Sequence, residues 1–398
     1  MRHDVVDRQI SKRELLRRAA ALCAMMGLSM PAAMSSFRAD AATESGVARV
    51  MEPAIAAWAP ANEAGGLAAA VRLDGRTVFF NRGVADERTE QPITSDSLFN
   101  VASVRKLFEA TLVAEAVLRG ELSLDEPVNK YVSELQGAYI RRVTIGELAT
   151  HTSGLLLPTD HPPWPDESYS LSQFLHMLNV WAPPNGEQPG EQRIYTHAGY
   201  VLLQLALERR YGTPIGALIE SRILKPLGMT STLVPERGPD NRAVMDPQFM
   251  RRTVQGYSAD GMPIGPPGNQ QSYFDFPGTG QMFSSVRDLA ILVAACLPDQ
   301  NTIDPQIGKA LQFTQHEFFR VDAQYGQAMA WEVNNLAGPT IIDKPGGLNN
   351  ASAYVGLVPE RKLGLVILSN RGDIHPYDAA RTAILPALAK LPAEPTNP

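Results

Sequence analysis

A serine three residues before a lysine, at the start of an apolar segment, is the feature that most constrains the fold of this chain. Ser103 and Lys106 open a run whose apolar residues recur at helical spacing as far as Gly120. Side chains at i and i+3 meet on one helix face, so the spacing predicts a hydroxyl beside an amine. Such a pair is typical of a nucleophile next to its proton acceptor, and a helix N-terminus favours an oxyanion formed there. Alone, the pattern also fits a serine that merely caps a helix.

Two further motifs follow downstream. Tyr195 begins the segment Tyr-Thr-His-Ala-Gly-Tyr, which leads into an apolar helical run. Lys344 begins Lys-Pro-Gly-Gly, which precedes two strand-like runs. A tyrosine beside cationic groups can serve as a general base. A lysine followed by small residues on a strand edge supplies a cation and leaves room for a substrate backbone.

The three motifs, in this order, resemble those of the penicillin-recognising serine hydrolases. With tyrosine as its first residue, the second motif is similar to that of the class C β-lactamases and of the DD-peptidases and esterases related to them. Residues 98–103, 151–155, 224–229 and 353–364 also resemble class C β-lactamases at corresponding places, and the resemblance extends from about residue 68 to the last helix. It implies an α/β (α+β) fold of the β-lactamase/transpeptidase type, an antiparallel sheet flanked by helices with an inserted all-helical lobe.

The resemblance also implies a role for each motif residue. Ser103 would be the nucleophile, and Lys106 would take or relay its proton. Tyr195 would be the general base, with the order of proton transfers between it and Lys106 left open. Lys344 would support the tyrosine and face the anionic end of the substrate. The backbone N–H groups of Ser103 and Gly347 would form the oxyanion hole.

His197, Pro345 and Gly346 are expected to contact the substrate, and two of them depart from the class C pattern. His197 stands where asparagine is usual, and Pro345 stands where a threonine hydroxyl usually meets the substrate carboxylate. Proline offers neither that hydroxyl nor an N–H group. Pro158 stands where the family usually has a glutamine whose side chain recognises an amide of the substrate. The sequence therefore keeps the catalytic groups and changes the polar groups that hold the substrate.

His197 also invites a metal interpretation. The chain has seven histidines, and they are scattered. Zinc sites need several ligands at short spacing, and no clustered Cys/His/Asp set accompanies this histidine. We expect no metal and no other cofactor.

Strand-like and helical patterns divide the chain into two lobes. Residues 67–71 and 77–81, joined across Asp74-Gly75, predict a hairpin. Later runs predict strands at 329–333, 353–358 and 363–368 and a closing helix at 378–390 kinked by Pro386. We expect a single catalytic domain over 42–398, with an α/β lobe at about 42–99 and 291–398 and a helical lobe at about 100–290.

The first 41 residues differ from the rest. Six basic residues precede the apolar stretch 19–34, and Ala39-Asp40-Ala41 offers a cleavage site. This pattern predicts a signal peptide over 1–41 and a periplasmic enzyme. Residues 11–16 resemble a twin-arginine signal with Lys12 in place of the first arginine, which leaves the export route open. An uncleaved amphipathic helix is the alternative.

The mature chain would be acidic. Removing residues 1–41 leaves 29 Lys/Arg against 38 Asp/Glu, a formal charge of −9. That balance argues against nucleic acid or an anionic membrane surface as a partner. We expect a monomer that acts on a small-molecule substrate. Cys23 would leave with the signal peptide, so Cys296 would have no disulfide partner within the monomer.

The leading functional hypothesis is a serine β-lactamase of class C type, which opens the lactam through an acyl-enzyme at Ser103. An esterase or D-amino-acid peptidase, such as a DD-carboxypeptidase, on the same scaffold is the alternative that the changed substrate contacts favour. A penicillin-binding protein that acylates without turnover is a further alternative. Tyr195 argues against it, because deacylation is the step that such proteins lack.

Overall fold

A computed structural model describes residues 33–60, 63–155, 170–238, 242–269, 282–298, 304–336 and 338–392. Most of the predicted signal peptide and Pro158 lie outside the described residues. Within them, the strands are β1 Gly66–Leu73, β2 Arg76–Asp86, β3 Gln91–Pro92, β4 Phe99–Asn100, β5 Glu236–Arg237, β6 Ala243–Val244, β7 Phe283–Ser284, β8 Phe319–Arg320, β9 Tyr325–Gln327, β10 Glu332–Asn334, β11 Ile341–Leu348, β12 Ala351–Val358 and β13 Leu363–Ser369.

Helices surround these strands. The α-helices are α1 Ala33–Trp58, α2 Lys106–Leu118, α3 Ile145–Ala149, α4 Leu171–Val180, α5 His197–Tyr211, α6 Ile215–Ile219, α7 Lys225–Leu227, α8 Pro247–Met250, α9 Val286–Cys296, α10 Pro305–Phe313, α11 Tyr377–Ala379 and α12 Leu385–Ala389. Short 3₁₀ turns cover Ala102–Arg105, Val128–Lys130, Ile140–Arg142 and Pro359–Arg361, and π-helical turns cover Glu220–Leu224 and Ala380–Ile384. None of the helices described here combines the length and the apolar character that a membrane crossing requires.

One antiparallel sheet joins the two ends of the chain. Its strand order is β3-β2-β1-β13-β12-β11-β10-β9-β8. The hairpin β1–β2 turns at Asp74 and Gly75, whose φ angles of 48° and 87° suit the twist of a two-residue hairpin. β1 then pairs with β13, with Leu67 opposite Ser369. The predicted fold, an antiparallel sheet built from both chain ends and flanked by helices, is confirmed.

The sheet buries both of its faces. Successive residues of a strand point to opposite faces, so alternate residues of β1 and β13 enter different cores. Leu67, Ala69 and Val71 pack with Val47 and Met51 of α1 and with the C-terminal helices. The other face packs against α9 and the helical segments between β3 and β8; its members include Ala68, Ala70, Val366 and Leu368. The second core lies beneath the cleft described below.

Two details differ from the sequence prediction. The strand expected at 329–333 is confined to Glu332–Asn334. Ala330 has a φ of 63°, which a strand cannot accommodate, and its N–H donates to Ala149 O at 3.0 Å. The closing helix is interrupted by the π-helical turn Ala380–Ile384, which ends just before the proline expected to kink it. That proline removes one N–H from the helical ladder.

Packing between β13 and α9 leaves no room for a side chain at Gly364. A Cβ atom there would lie 2.0 Å from Val293 Cγ1. Valine is stiff at χ1, so we expect Gly364→Ala to lower the free energy of unfolding by about 1 to 3 kcal/mol. Urea unfolding measures this change.

Gly308 in α10 provides a matched control. A Cβ atom at this position meets nothing within 4 Å. We expect Gly308→Ala to stabilise the protein by about 0.5 to 1 kcal/mol, because alanine favours a helix interior over glycine. Equal effects of the two substitutions would contradict the close packing of β13 on α9.

Candidate active site

Ser103 lies in the 3₁₀ turn Ala102–Arg105, which leads directly into α2. Val101 caps this turn without a side-chain hydrogen bond, so Ser103 is not its capping residue. Asn100 Oδ1 accepts a hydrogen bond from Ala102 N at 3.0 Å. Ala102 has a φ of 49°, a conformation that costs free energy in a residue other than glycine. The surrounding contacts therefore hold the serine in a turn that the local sequence alone disfavours.

Two of the predicted partners meet the Ser103 hydroxyl. Ser103 Oγ lies 2.7 Å from Tyr195 Oη, and Lys106 Nζ donates to the same Oγ at 3.4 Å. Lys106 is wholly buried, as expected for a residue on the inner face of α2. Tyr195 is brought here by the extended segment that ends at Thr196, whose side chain caps α5. A serine hydroxyl held between a phenol and an amine can lose its proton to whichever of the two is deprotonated.

Lys344 also lies beside the tyrosine. Its Nζ lies 4.6 Å from the centre of the Tyr195 ring, and Lys106 Nζ lies 5.5 Å from it. Burial lowers the pKa of Lys344 from its ordinary value, while nearby Tyr195 and Glu332 oppose that shift. The side-chain nitrogens of both lysines therefore lie close to the tyrosine ring.

β11 approaches the turn Ala102–Arg105, called the nucleophile turn after the predicted role of Ser103, through its glycines. A Cβ atom on Gly346 would lie 2.8 Å from Val101 O and 3.1 Å from Ser103 N, so a side chain here would push the strand away. A Cβ atom on Gly347 would meet nothing within 4 Å, because this residue is exposed at the cleft. The structure thus places the two predicted oxyanion-hole residues on adjoining backbone segments.

The edge of β11 explains how a proline fits within the third motif. β10 pairs with β11 only as far as Asp343. From Lys344 onward, this edge of β11 faces the nucleophile turn instead of another strand. A missing N–H at Pro345 is tolerated at such an edge, since no ladder hydrogen bond is required there.

These residues line a cleft with a volume of about 390 Å³. The cleft is bordered by Ser103, Tyr195, His197, residues 344–347 and residues 374–377. Every side chain predicted to act in catalysis or substrate binding therefore lies in the cleft or, for Lys106, directly beneath it. The size suits a small molecule or one end of a larger one.

His197 contributes an uncharged imidazole to this cleft. Burial, reinforced by the charges of Lys106 and Lys344, holds its pKa well below the ordinary value. A neutral imidazole carries one donor and one acceptor, as does the side-chain amide of asparagine. Within the described residues, no group of three or more His, Cys, Asp or Glu side chains could hold a metal ion.

Arg193 and Glu332 also border the cleft, and neither was predicted from the sequence. Arg193 Nη2 lies 3.2 Å from Glu332 Oε1, and Arg381 Nη2 lies 2.7 Å from Glu332 Oε2. Burial alone would raise the pKa of Glu332, but Lys344, Arg381 and Arg193 hold it below its usual value. Arg193 could have been suspected, since it lies two residues before Tyr195 on an extended segment. Glu332 is 139 residues from Arg193, and no local pattern marks it.

Comparison with known proteins agrees with this geometry. The family described as Beta-lactamase matches residues 47–389. This chain belongs to the beta-lactamase family. It is 30% identical over 332 residues to a beta-lactamase of Pseudomonas fluorescens, covering 77% of this chain and 88% of that protein. It is 26% identical over 392 residues to a beta-lactamase of Escherichia coli K12, covering 90% and 97% of the two chains.

Solved structures of this family share the fold. A class C beta-lactamase superimposes with a TM-score of 0.73 at 24% identity, covering 89% of this chain and 97% of that one. A class C beta-lactamase from Rhodobacter sphaeroides superimposes with a TM-score of 0.71 at 27% identity, covering 85% of this chain and 98% of that one. A beta-lactamase/D-alanine carboxypeptidase from Pseudomonas syringae gives 0.73 at 24%, with 89% and 100% covered.

The predicted family and class of enzyme are confirmed by these matches. This member of the beta-lactamase family has the class C fold. The roles of individual residues stay predictions, and the experiments below test them.

The negative charge of Glu332 predicts a specific pH dependence. Glu332 favours the charged form of Lys344, so Glu332→Gln should lower the pKa of that lysine further. If catalysis needs the Lys344 cation, activity falls as the pH rises through this pKa. We therefore expect the alkaline limb of kcat/KM to move to lower pH in the variant.

A pH–rate profile of both proteins measures this shift. Glu360→Gln is the matched control, because Glu360 is exposed in the turn between β12 and β13. An alkaline limb that stays in place, or moves to higher pH, would show that Glu332 does not act on the cations of the site.

Proposed function

We propose that this member of the beta-lactamase family hydrolyses β-lactams in the periplasm through a covalent acyl-enzyme at Ser103. The observation that carries the proposal is the triangle of groups around one hydroxyl: Ser103 Oγ is 2.7 Å from Tyr195 Oη and 3.4 Å from Lys106 Nζ. The names of the relatives support the substrate class, since the Pseudomonas fluorescens and Escherichia coli proteins are both beta-lactamases.

Acylation would use the groups in the order that their contacts suggest. As Ser103 Oγ attacks the lactam carbonyl, its proton would pass to Tyr195 Oη, which must be deprotonated in order to accept it, with Lys106 beside both groups. The carbonyl oxygen takes up negative charge, and the N–H groups of Ser103 and Gly347 bind it. The C–N bond then breaks, and the proton moves to the departing nitrogen. The products of this half-reaction are an opened ring and an ester at Ser103.

Deacylation would use the same tyrosine. A water molecule gives a proton to Tyr195 Oη and attacks the ester carbonyl. The bond between carbon and Ser103 Oγ breaks, and Oγ recovers the proton. A protein that acylates without turnover would lack a base for this step, so the position of Tyr195 favours a true hydrolase.

Charge in the cleft supports a substrate that bears a carboxylate. Lys344 and Arg193 contribute cations, and Glu332 is shared between Arg193 and Arg381. A β-lactam carries such a carboxylate, and so does a peptide that ends in D-alanine.

A second candidate is an esterase or D-amino-acid peptidase on the same scaffold. Pro345 favours it, because the residue at this position of the third motif offers no hydroxyl to a lactam carboxylate. One solved structure with this fold is named as both a beta-lactamase and a D-alanine carboxypeptidase. A substrate panel separates the two candidates.

The proposed role of Ser103 as the nucleophile can be tested by covalent labelling. We expect a penicillin or a fluorophosphonate to label Ser103, as measured by mass spectrometry of the digested protein. Ser103→Ala should abolish hydrolysis of a cephalosporin, a carbapenem and a short-chain aryl ester alike, because the covalent intermediate cannot form. A label on another residue, or full activity of the variant, would contradict the proposed mechanism.

A further prediction concerns substrate preference. Loss of a hydrogen bond to a charged group costs roughly 1.5 to 3 kcal/mol, so cephalosporin turnover should be weak for an enzyme of this fold. The double variant His197→Asn with Pro345→Thr should raise kcat/KM for a cephalosporin more than for a neutral aryl ester. The two single variants show how much each position contributes. An unchanged or inverted ratio would mean that these positions do not set specificity.

We also propose that residues 1–41 are removed during export. The basic and apolar pattern of this segment supports the proposal. A chain that begins near Ala42 would still contain Val47 and Met51, the residues of α1 that pack into the core. Cell fractionation with mass spectrometry of the intact protein should find the mature form in the periplasm. Cytoplasmic protein that retains Met1 would contradict it.

A further inference from the structure

His151 is a buried histidine that the mechanism above does not use. It follows α3, and its side chain is shielded from solvent. Its φ of 57° lies in the left-handed region, which histidine enters more readily than most residues but at some cost. Strained residues of this kind cluster at functional sites.

The contacts of His151 converge on Tyr195. Its ring centre lies 4.4 Å from the centre of the Tyr195 ring. Its carbonyl oxygen accepts a hydrogen bond from Ile194 N at 2.8 Å, and its Nδ1 accepts one from Thr196 N at 3.5 Å. One residue therefore holds the tyrosine ring and the backbone on both sides of it.

The same segment is itself anchored. Ala149 O accepts hydrogen bonds from Tyr200 Oη at 2.8 Å and from Ala330 N at 3.0 Å. Tyr200 also packs against the His151 ring, with 5.1 Å between ring centres. The imidazole thus contacts two tyrosine rings and lies on a backbone that two other segments fix.

The imidazole is held uncharged. Burial and the positive charges of Lys344, Lys106 and Arg193, together with neighbouring His197, keep its pKa well below the ordinary value. The hydrogen bond from Thr196 N requires an Nδ1 atom that carries no proton, as in a neutral imidazole. A protonated ring would lose that contact and would repel both lysines.

We propose that His151 is the positioning residue for Tyr195, holding its ring and its flanking backbone so that its hydroxyl meets Ser103 Oγ. The inference rests on the proposed function of Tyr195 as the base. It does not depend on which substrate the enzyme hydrolyses.

A double-mutant cycle tests this role. The rate at which a fluorophosphonate labels Ser103 is measured for His151→Ala, for Tyr195→Phe and for the pair. Misplacement of a reacting group by about 1 Å can cost 10²-fold, so we expect His151→Ala to slow labelling by up to about 10²-fold. In the Tyr195→Phe background, which has no hydroxyl left to position, it should slow labelling by less than about twofold.

Two conservative variants separate the contacts. His151→Asn keeps an acceptor near the position of Nδ1 and tolerates a positive φ, while His151→Phe keeps the ring and loses the acceptor. Each should recover part of the rate lost in His151→Ala. In the pH profile of labelling, the variants His151→Ala, His151→Asn and His151→Phe should each lower the plateau rate and leave both limbs at the same pH, because His151 stays uncharged.

Several results would overturn the inference. An equal loss from His151→Ala in both backgrounds would mean that the histidine only supports the fold, and a normal rate would mean that it does not position the base. A shift in the acid limb would make His151 a proton-transfer group instead. Failure of the proposed function looks different, since labelling and the cycle would then persist in a protein that hydrolyses no β-lactam.

Discussion

The close approach of β11 to the nucleophile turn is the contact on which the active site depends. Gly346 lies against the backbone of Val101 and Ser103, where even one methyl group would collide. This approach sets the distance between Lys344 and Tyr195 and brings the N–H of Ser103 beside the strand edge. The turn contributes a strained residue, Ala102, to the same contact. Packing of the sheet against the helical segments must supply the free energy that holds this arrangement.

Buried positive charge is the second constraint. Two lysines and an arginine lie close to one phenol ring, and nearby anionic groups offset their mutual repulsion. Glu332 pairs with Arg193 and Arg381, while Asp343 pairs with Arg381 and accepts from Tyr354 Oη at 2.8 Å. The network extends from the cleft to the C-terminal helix. The site is therefore an electrostatic unit whose members come from six separate parts of the chain.

Local patterns predicted much of the molecule. The turn at Asp74-Gly75 and the two strands around Pro359–Arg361 follow from short sequence features whose physics is local. The motif residues were found because their chemistry is unusual at that spacing. Glu332 and His151 were missed, because each acquires its role only from residues far away in the sequence. Ala330 was misassigned to a strand, since its apolar neighbours hide a backbone that turns to meet Ala149.

The pairing of β1 with β13 has a consequence for how the enzyme is made. The centre of the sheet can form only after Ser369 has been synthesised, because Leu67 pairs with it. The third motif is synthesised more than two hundred residues after Ser103. A ribosome adding about 5 to 20 residues per second needs many seconds to cover that interval. During this time the hairpin β1–β2 has an open edge, and the nucleophile turn lacks its glycine strand. The cleft of the growing chain therefore stays incomplete until synthesis is almost finished, and the edge of its early hairpin stays open to pairing with other strands meanwhile.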